Sequence, residues 1–234
     1  MTTIALITGA NRGIGHAAAK LLAENGVTAI IGARDAVQGK EAAGPLGLPY
    51  VRIDLTETDS VRAAAARIER EYGRLDILIN NAGITVPDGP PSDTTAEDAR
   101  RVYETNVFGV IAVTNAMLPL LRLSPAGRIV NVSSERGSLD RALDRGHPLW
   151  PMLNLAYTSS KAALNMITVS YAKELWNTPI KVNAVDPGWV KTDINHNTGI
   201  KSPEEGAAPI VTMALLGPDG PTATFVQHEG LLLW

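Results

Sequence analysis

Short runs of consecutive apolar, largely β-branched residues alternate along the chain with stretches whose apolar positions recur every three or four residues. The runs are Thr3–Thr8, Val27–Gly32, Pro49–Ile53, Leu75–Asn80, Arg128–Val132, Ile180–Val185 and, with a weaker pattern, Ala223–Gln227. A strand with one wet face alternates apolar and polar residues. Unbroken apolar runs are those of strands covered on both faces, as in a parallel sheet between two helix layers. Helical spacing falls near residues 14–24, 36–43, 58–72, 94–121, 156–176 and 203–216. The alternation predicts an α/β fold, a doubly wound sheet of about seven mostly parallel strands with helices on both faces. No repeat, low-complexity tract or linker divides residues 1–234, so a single domain is expected.

Two segments break the rhythm. Residues 135–156 separate a strand from the next helix and carry Arg136, Arg141, Arg145, His147, Pro148, Trp150 and Pro151. Residues 189–202 are polar and poorly patterned. Loops this long in compact domains are usually functional or disordered, and both follow the carboxyl ends of strands, where open α/β sheets place their ligands.

Composition narrows the chemistry. With no cysteine, disulfides, thiolate metal sites and cysteine nucleophiles are excluded. The 21 basic and 24 acidic residues give a net charge of −3, without the basic excess that phosphate-backbone binding requires, so no nucleic-acid partner is expected. No apolar run approaches the ~18 residues of a membrane helix, and Met1–Thr8 lacks the basic start of a signal peptide. A cytoplasmic protein without membrane partners is the expectation. His16, His147, His196 and His228 show no ligand spacing, so no metal is expected.

Thr8-Gly9-Ala10-Asn11-Arg12-Gly13-Ile14-Gly15 follows the first strand and opens the first helix. Glycines at 9, 13 and 15 allow a tight turn, close backbone approach to a pyrophosphate and close packing of helix on strand. The positive end of the helix then faces the phosphates. The spacing departs from the general G-x-G-x-x-G fingerprint, and a glycine-rich turn with no ligand is the alternative.

The motif T-G-x-x-x-G-x-G, matched by Thr8–Gly15, resembles that of the short-chain dehydrogenase/reductase family. The resemblance continues in the family's order through Asp54, Asn80-Asn81-Ala82-Gly83, Asn106, Ser133-Ser134, Tyr157-x-x-x-Lys161 and Pro187-Gly188. It spans residues 3 to 192, and the ordered set is far more specific than any one motif. Ala33-Arg34-Asp35, Glu71-Tyr72-Gly73 and a final tryptophan are similar to the NADPH-dependent carbonyl reductases within it. The resemblance implies a Rossmann-type domain and an oxidoreductase of carbonyl or alcohol substrates.

It also implies a cofactor site. Gly9, Asn11, Arg12, Gly13, Ile14 and Gly15 would hold the pyrophosphate side. Asp54 and Leu55 would lie at the adenine, and Asn81, Ala82 and Gly83 along the adenosine ribose. Pro187, Gly188, the Val190 backbone and the Thr192 hydroxyl would hold the nicotinamide carboxamide. Family members that use NAD(H) carry an acid directly after the second strand; here that residue is Ala33, followed by Arg34. A guanidinium at Arg34, with Arg12, suits a 2′-phosphate, so NADP(H) is preferred over NAD(H). Asp35 then becomes a helix N-cap.

Tyr157 and Lys161, four apart on a helix, share one face. An unperturbed phenol titrates near ~10, and an ammonium within ~4–6 Å brings that value down. The pair alone is common on exposed helices; its company gives it meaning. The resemblance makes Ser134 the donor to a substrate carbonyl oxygen and Tyr157 the proton donor. Lys161 would bind the nicotinamide ribose, and Asn106 a water leading to Lys161. Asn106 lies on the apolar stripe Val102, Asn106, Gly109, Val113, Met117. A buried asparagine needs partners, so one satisfied by backbone is the alternative.

From Ser134 to Tyr157 the chain runs 23 positions, longer than is typical of the family. The excess is expected over the substrate side, bringing His147, Trp150 and Met152 to the pocket, with Trp189 and His196 on the opposite wall. The expected function is NADPH-dependent reduction of a ketone or aldehyde. The alternatives are an NAD-dependent alcohol dehydrogenase working oxidatively, and a non-catalytic NADP(H)-sensing regulator, whose mark would be a broken Ser-Tyr-Lys set. The apolar end, Leu231-Leu232-Leu233-Trp234, packs either into the domain or across a subunit interface, and the resemblance leaves homodimer and homotetramer both open.

Overall fold

The computed structural model describes residues 2–234; Met1, the first residue of the expected domain, lies outside the described residues. In chain order the elements are β1 (Ile4–Thr8), α1 (Gly13–Glu24), β2 (Thr28–Ala33), α2 (Ala36–Ala43), β3 (Tyr50–Arg52), α3 (Thr58–Tyr72), β4 (Ile77–Asn80) and α4 (Ala96–Tyr103). There follow α5 (Val110–Leu121), β5 (Arg128–Val132), α6 (Leu139–Leu143), α7 (Leu155–Glu174), β6 (Lys181–Val185), α8 (Pro203–Ala214), β7 (Phe225–Gln227) and β8 (Gly230–Leu232).

Every residue of β1, β4 and β5 is buried, as the continuous apolar runs demand. The sheet order is β3-β2-β1-β4-β5-β6-β7-β8, parallel throughout except for the antiparallel β7–β8 pair. Successive side chains of a strand go to opposite faces. Ile7, Ile31, Ile79 and Val130 accordingly pack with Ala18 and Leu22 of α1 and Ile210 of α8. Their neighbours Leu6, Ile30, Leu78 and Ile129 pack with Ile68 of α3, Met117 of α5 and Ala172 of α7. This is a single doubly wound α/β domain.

Among the described residues the sheet has eight strands, one more than the about seven read from the sequence. The eighth is too short for a periodic signal, but it obeys period two: Leu232 is buried while Leu231 and Leu233 are exposed. Trp234 stacks on Phe225 with ring centroids 5.5 Å apart, so the tail packs on its own domain.

The stretch read as one helix over 94–121 is two, joined by a π turn at Glu104–Gly109. There the backbone hydrogen bonds reach one residue further than in an α-helix, and Asn106 lies inside that turn. Among the described residues, Ala96–Leu121 is also the one helical run long and apolar enough to cross a membrane, with a mean hydropathy of 1.3. This corrects the expectation that none approaches that length. Of the apolar window, 56% is buried inside the fold, as in a core helix.

Buried polar groups tie the sheet to its helices. Asn80 of β4 donates to Asn131 of β5 at 2.8 Å and to Thr114 of α5 at 3.1 Å, and Asn131 donates to Thr168 of α7 at 2.9 Å. Near the opposite end, Asp76 accepts from Ile4 N at 2.9 Å, Arg74 Nε at 2.9 Å and Ser124 Oγ at 2.6 Å. Burial alone pushes the Asp76 carboxyl up, but these hydrogen bonds outweigh it and hold it below its ordinary value. A carboxylate lowered by folding contributes stability that is complete above its unfolded pKa, near ~4, and is lost as pH falls through the folded value. Asp76→Asn is therefore expected to cost about 2 kcal/mol at pH 7. In urea unfolding the gap to wild type should narrow as pH falls below about 4. A gap independent of pH would contradict this role.

Candidate active site

Strand order reverses between β1 and β4, and the connections leaving their carboxyl ends diverge there to open a cleft. It measures about 1480 Å³ and is bordered by the turns after β1, β2, β3, β4, β5 and β6.

The glycine turn is shaped by contacts across that reversal. Thr8 Oγ1 accepts from Asn81 N at 3.0 Å and Ala82 N at 3.1 Å, while Asn81 Nδ2 donates to Thr8 O at 2.9 Å and Gly9 O at 3.2 Å. A Cβ on Gly9, whose φ is +63, would stand 2.9 Å from Ala82 Cα. One on Gly15 would collide with Asn81 Nδ2. The two motifs thus form one packed unit, which is why neither position tolerates a side chain.

Ser134 lies two residues past the end of β5, its hydroxyl accepts from Arg136 N at 3.2 Å, and it lines the cleft with Tyr157. Both serines line the cleft, but Ser133 is buried and its hydroxyl is already engaged, donating to Asn165 Oδ1 at 2.6 Å. α7 begins at a capped end, with Tyr157 N donating to Asn154 Oδ1 at 2.9 Å. Asn154 Nδ2 reaches Val86 O at 2.7 Å and Asp88 Oδ1 at 2.9 Å, fixing the first turn that carries Tyr157. One turn on, Lys161 is buried and its Nζ donates to Val132 O at 2.8 Å.

Electrostatics depart from the sequence expectation that Lys161 lowers the Tyr157 pKa. Burial dominates and pushes the phenol up to about 12. The Ser134 hydroxyl and the Arg136 guanidinium oppose it, while Asp186 and Asp88 add to it. The Arg136 guanidinium carbon lies 5.7 Å from the centre of the Tyr157 ring. Burial also lowers Lys161, to about 8, with Asp186 acting against that.

Asn106 lies behind the cleft wall rather than in it. Its Oδ1 accepts from Ile84 N at 2.8 Å, and its Nδ2 donates to Ile84 O at 2.9 Å and Ser160 Oγ at 3.1 Å. Its contacts to the Ile84 backbone are those of the backbone-satisfied alternative. Between it and Lys161 sits Gly83, where a Cβ would be 3.4 Å from Asn106 Oδ1 and 3.6 Å from Lys161 Nζ.

The remaining candidate cofactor positions line one side of the cleft: Asn11, Arg12, Gly13, Ile14, Arg34, Asp54, Leu55, Pro187, Gly188, Val190 and Thr192. Asp35 caps α2, accepting from Gln38 N at 2.9 Å. Arg34 is exposed and pairs with no carboxylate among the described residues, whereas Arg12 meets Asp193 at 2.9 Å. Asp54 closes its own turn through Thr56 N at 3.0 Å and Thr56 Oγ1 at 2.8 Å. Two features suit a dinucleotide. The N-terminus of α1 has no side-chain cap and no acid in its first turn, leaving its N–H groups to an anion. The buried Thr192 Oγ1 has no hydrogen-bond partner.

On the substrate side Met152, Trp189 and His196 line the cleft, and Leu149 joins them. Trp150 does not, which corrects the expectation for that residue. A tight turn, with Trp150 N on His147 O at 2.9 Å and Met152 N on Leu149 O at 2.9 Å, turns Leu149 and Met152 inward. Trp150 is left 44% exposed, with the Arg145 guanidinium 5.5 Å over its ring. His147 lies 3.7 Å from Glu135 instead of in the cleft wall.

Sequence reasoning missed three contributors. Arg136 and Asp186 line the cleft beside Tyr157. Gly137 lets the serine loop lie on α7, since a Cβ there would be 2.6 Å from Lys161 C. A glycine three positions past the serine was the available signal for the last.

A doubly wound sheet with a glycine turn at its reversal point and serine, tyrosine and lysine side chains across the cleft is that of a dinucleotide-dependent oxidoreductase. The short chain dehydrogenase model matches residues 3–202, and the chain belongs to that family, the short-chain dehydrogenases/reductases. The short-chain dehydrogenase anuI of Penicillium roqueforti is 41% identical over 227 residues, covering 92% of this chain and 89% of its own. NADPH carbonyl reductase 1 of Rattus norvegicus is 34% identical over 280 residues, covering 99% of this chain and 98% of its own. Among solved structures, NADPH-bound carbonyl reductase from chicken fatty liver superposes with a TM-score of 0.88 at 28% identity. It covers 100% of this chain and 99% of the other.

Proposed function

We propose that this enzyme reduces the carbonyl of a ketone or aldehyde to an alcohol, with NADPH as hydride source and Tyr157 as proton donor. The observation that carries the reading is the meeting of Ser134, Tyr157 and Lys161 at one cleft, with Lys161 buried one turn below Tyr157 and held on Val132 O. When bound, the nicotinamide supplies hydride to the carbonyl carbon. As that hydride arrives, negative charge grows on the carbonyl oxygen, and the Ser134 and Tyr157 hydroxyls are placed to donate to it. A phenol held at about 12 stays protonated at neutral pH, the state a proton donor needs. Lys161, at about 8, is charged at neutral pH and can pass a proton towards Tyr157. Asn106 acts through the Ile84 backbone and Ser160, tying the π turn between α4 and α5 to α7.

Support for NADPH comes from Arg34, an exposed guanidinium at the cleft edge directly after Ala33, and from the commitment of Asp35 to capping α2. Support for a bulky, apolar substrate comes from the Leu149, Met152 and Trp189 walls. The test is oxidation of NADPH and of NADH by the purified protein against a panel of ketones, aldehydes and quinones. Turnover favouring NADPH is expected. Both cofactors binding without turnover on any carbonyl would contradict the reading.

A further inference from the structure

Arg136 lies two residues past Ser134, on the loop that follows β5, and borders the cleft. The other arginines at the cleft, Arg12, Arg34 and Arg52, come from the turns after β1 and β2 and from the end of β3, on the cofactor side. Arg136 stands instead with the reacting groups, its guanidinium carbon 5.7 Å from the centre of the Tyr157 ring. No step of the reaction above uses it.

The guanidinium is held in place. Its Nη2 donates to Asp88 Oδ1 at 3.1 Å. The same oxygen accepts from Asn154 Nδ2 at 2.9 Å, and Asn154 Oδ1 accepts from Tyr157 N at 2.9 Å. The cation is thereby tied to the turn of α7 that carries Tyr157. Its side chain is only 18% exposed. Among the described residues Nη2 is the one guanidinium nitrogen with a hydrogen-bond acceptor, and Nε is buried without one. A guanidinium offers several N–H donors in a planar fork, and leaving a buried charged donor unpaired costs free energy. A ketone that is apolar throughout would strip the remaining water from this group and put nothing in its place. A ketone with an oxygen acceptor on that side replaces the water.

Building on the reductase reading, we propose that Arg136 is a specificity-determining residue: it donates to a second carbonyl oxygen, close to the one being reduced, so that keto esters and diketones are preferred over simple ketones. Asp88, half-exposed, already balances the charge of Arg136. What the guanidinium lacks is therefore an acceptor and not an anion. A substrate carboxylate at this place would set a second negative charge beside Asp88, which a neutral carbonyl does not. Leu149, Met152 and Trp189 receive the apolar remainder of the substrate.

The test is NADPH-dependent reduction of three probes built on one phenyl ketone. Beside the ketone, ethyl benzoylformate carries a neutral carbonyl, benzoylformate a carboxylate, and valerophenone a methylene. They are compared in wild type and Arg136→Met, which keeps an unbranched stem and removes the donors. The bond to Ser134 Oγ is made by the Arg136 backbone, and Asp88 keeps its bond from Asn154, so neither is lost. In the variant, kcat/KM for ethyl benzoylformate should fall about tenfold to a hundredfold further than for valerophenone, chiefly through KM. An equal fall for both, as a merely structural role of the Asp88 pair would give, overturns the proposal. So does a wild type whose KM is lower for benzoylformate than for its ester. A wild type that reduces no carbonyl would fail the reductase reading instead. A second measurement needs no turnover: calorimetric titration of ethyl benzoylformate and valerophenone onto wild type and variant saturated with NADP⁺. The ester should bind wild type about tenfold or more tighter than valerophenone and lose that margin in the variant. Equal binding to wild type, or a margin that survives in the variant, overturns the proposal.

Discussion

Tyr157→Phe is expected to lose about a thousandfold or more in kcat while NADPH binds as in wild type. The substitution removes one oxygen atom, the one that shares the cleft with Ser134, and leaves the ring to fill its place beside Arg136. Ser134 keeps its contact with Arg136 N, and the Asn154 cap on the first turn of α7 is made by the Tyr157 backbone, so neither is lost. Folding should change little, and the cost should fall on the chemical step. Rapid-mixing measurement of NADPH oxidation, alongside NADPH binding by fluorescence, separates the two. A variant that keeps most of its rate would remove Tyr157 from the mechanism.

Arg34→Ala is expected to weaken NADPH binding by about tenfold to a hundredfold and to leave NADH binding nearly unchanged. The figure follows from losing a charge-assisted contact to a phosphate, worth roughly 1.5–3 kcal/mol. Arg34 is the better candidate of the two basic residues because Arg12 already pairs with Asp193 at 2.9 Å across the cleft mouth. Arg12→Ala should therefore cost less, since the Arg12 charge is shared before any ligand arrives. Calorimetric titration of both cofactors against wild type and the two variants checks this order. Equal losses for NADPH and NADH at Arg34→Ala would mean that no 2′-phosphate is read there.

The sheet and its order of motifs were legible because strands buried on both faces cannot hide their apolar runs: β1, β4, β5 and β6 fall within the stretches read from the sequence, and β2 runs one residue past its stretch, to Ala33. The glycine turn was legible for a related reason, since close packing against Asn81 and Ala82 admits no side chain. Three kinds of feature were not. A strand of three residues at the sheet edge, β8, is shorter than any periodic pattern can register. The direction of a loop tryptophan depends on turn hydrogen bonds between residues two or three apart, so Trp150 faced away from the pocket assigned to it. Long-range electrostatics were least legible of all. Sequence spacing pairs Tyr157 with Lys161, yet the charges that act on the phenol come from Arg136, Asp186 and Asp88, on separate loops joined only by the fold.

Those loops also explain how a scaffold shared across a family admits its own substrate range. The serine loop is held on α7 by the bare Gly137 and to the chain end by Ser138 Oγ, which donates to Leu233 O at 2.8 Å. The wall it presents, through Leu149 and Met152, is thereby fixed to rigid elements while its outer residues, Trp150 among them, stay in solvent.

The most direct test of the central claim follows the hydride itself. NADPH carrying deuterium at one face of nicotinamide C4 is turned over with a ketone from the panel, and the product is examined by mass spectrometry. One deuterium on the carbon that bore the carbonyl, from one labelled face and not the other, is the predicted result. An alcohol product with no deuterium from either face would contradict it.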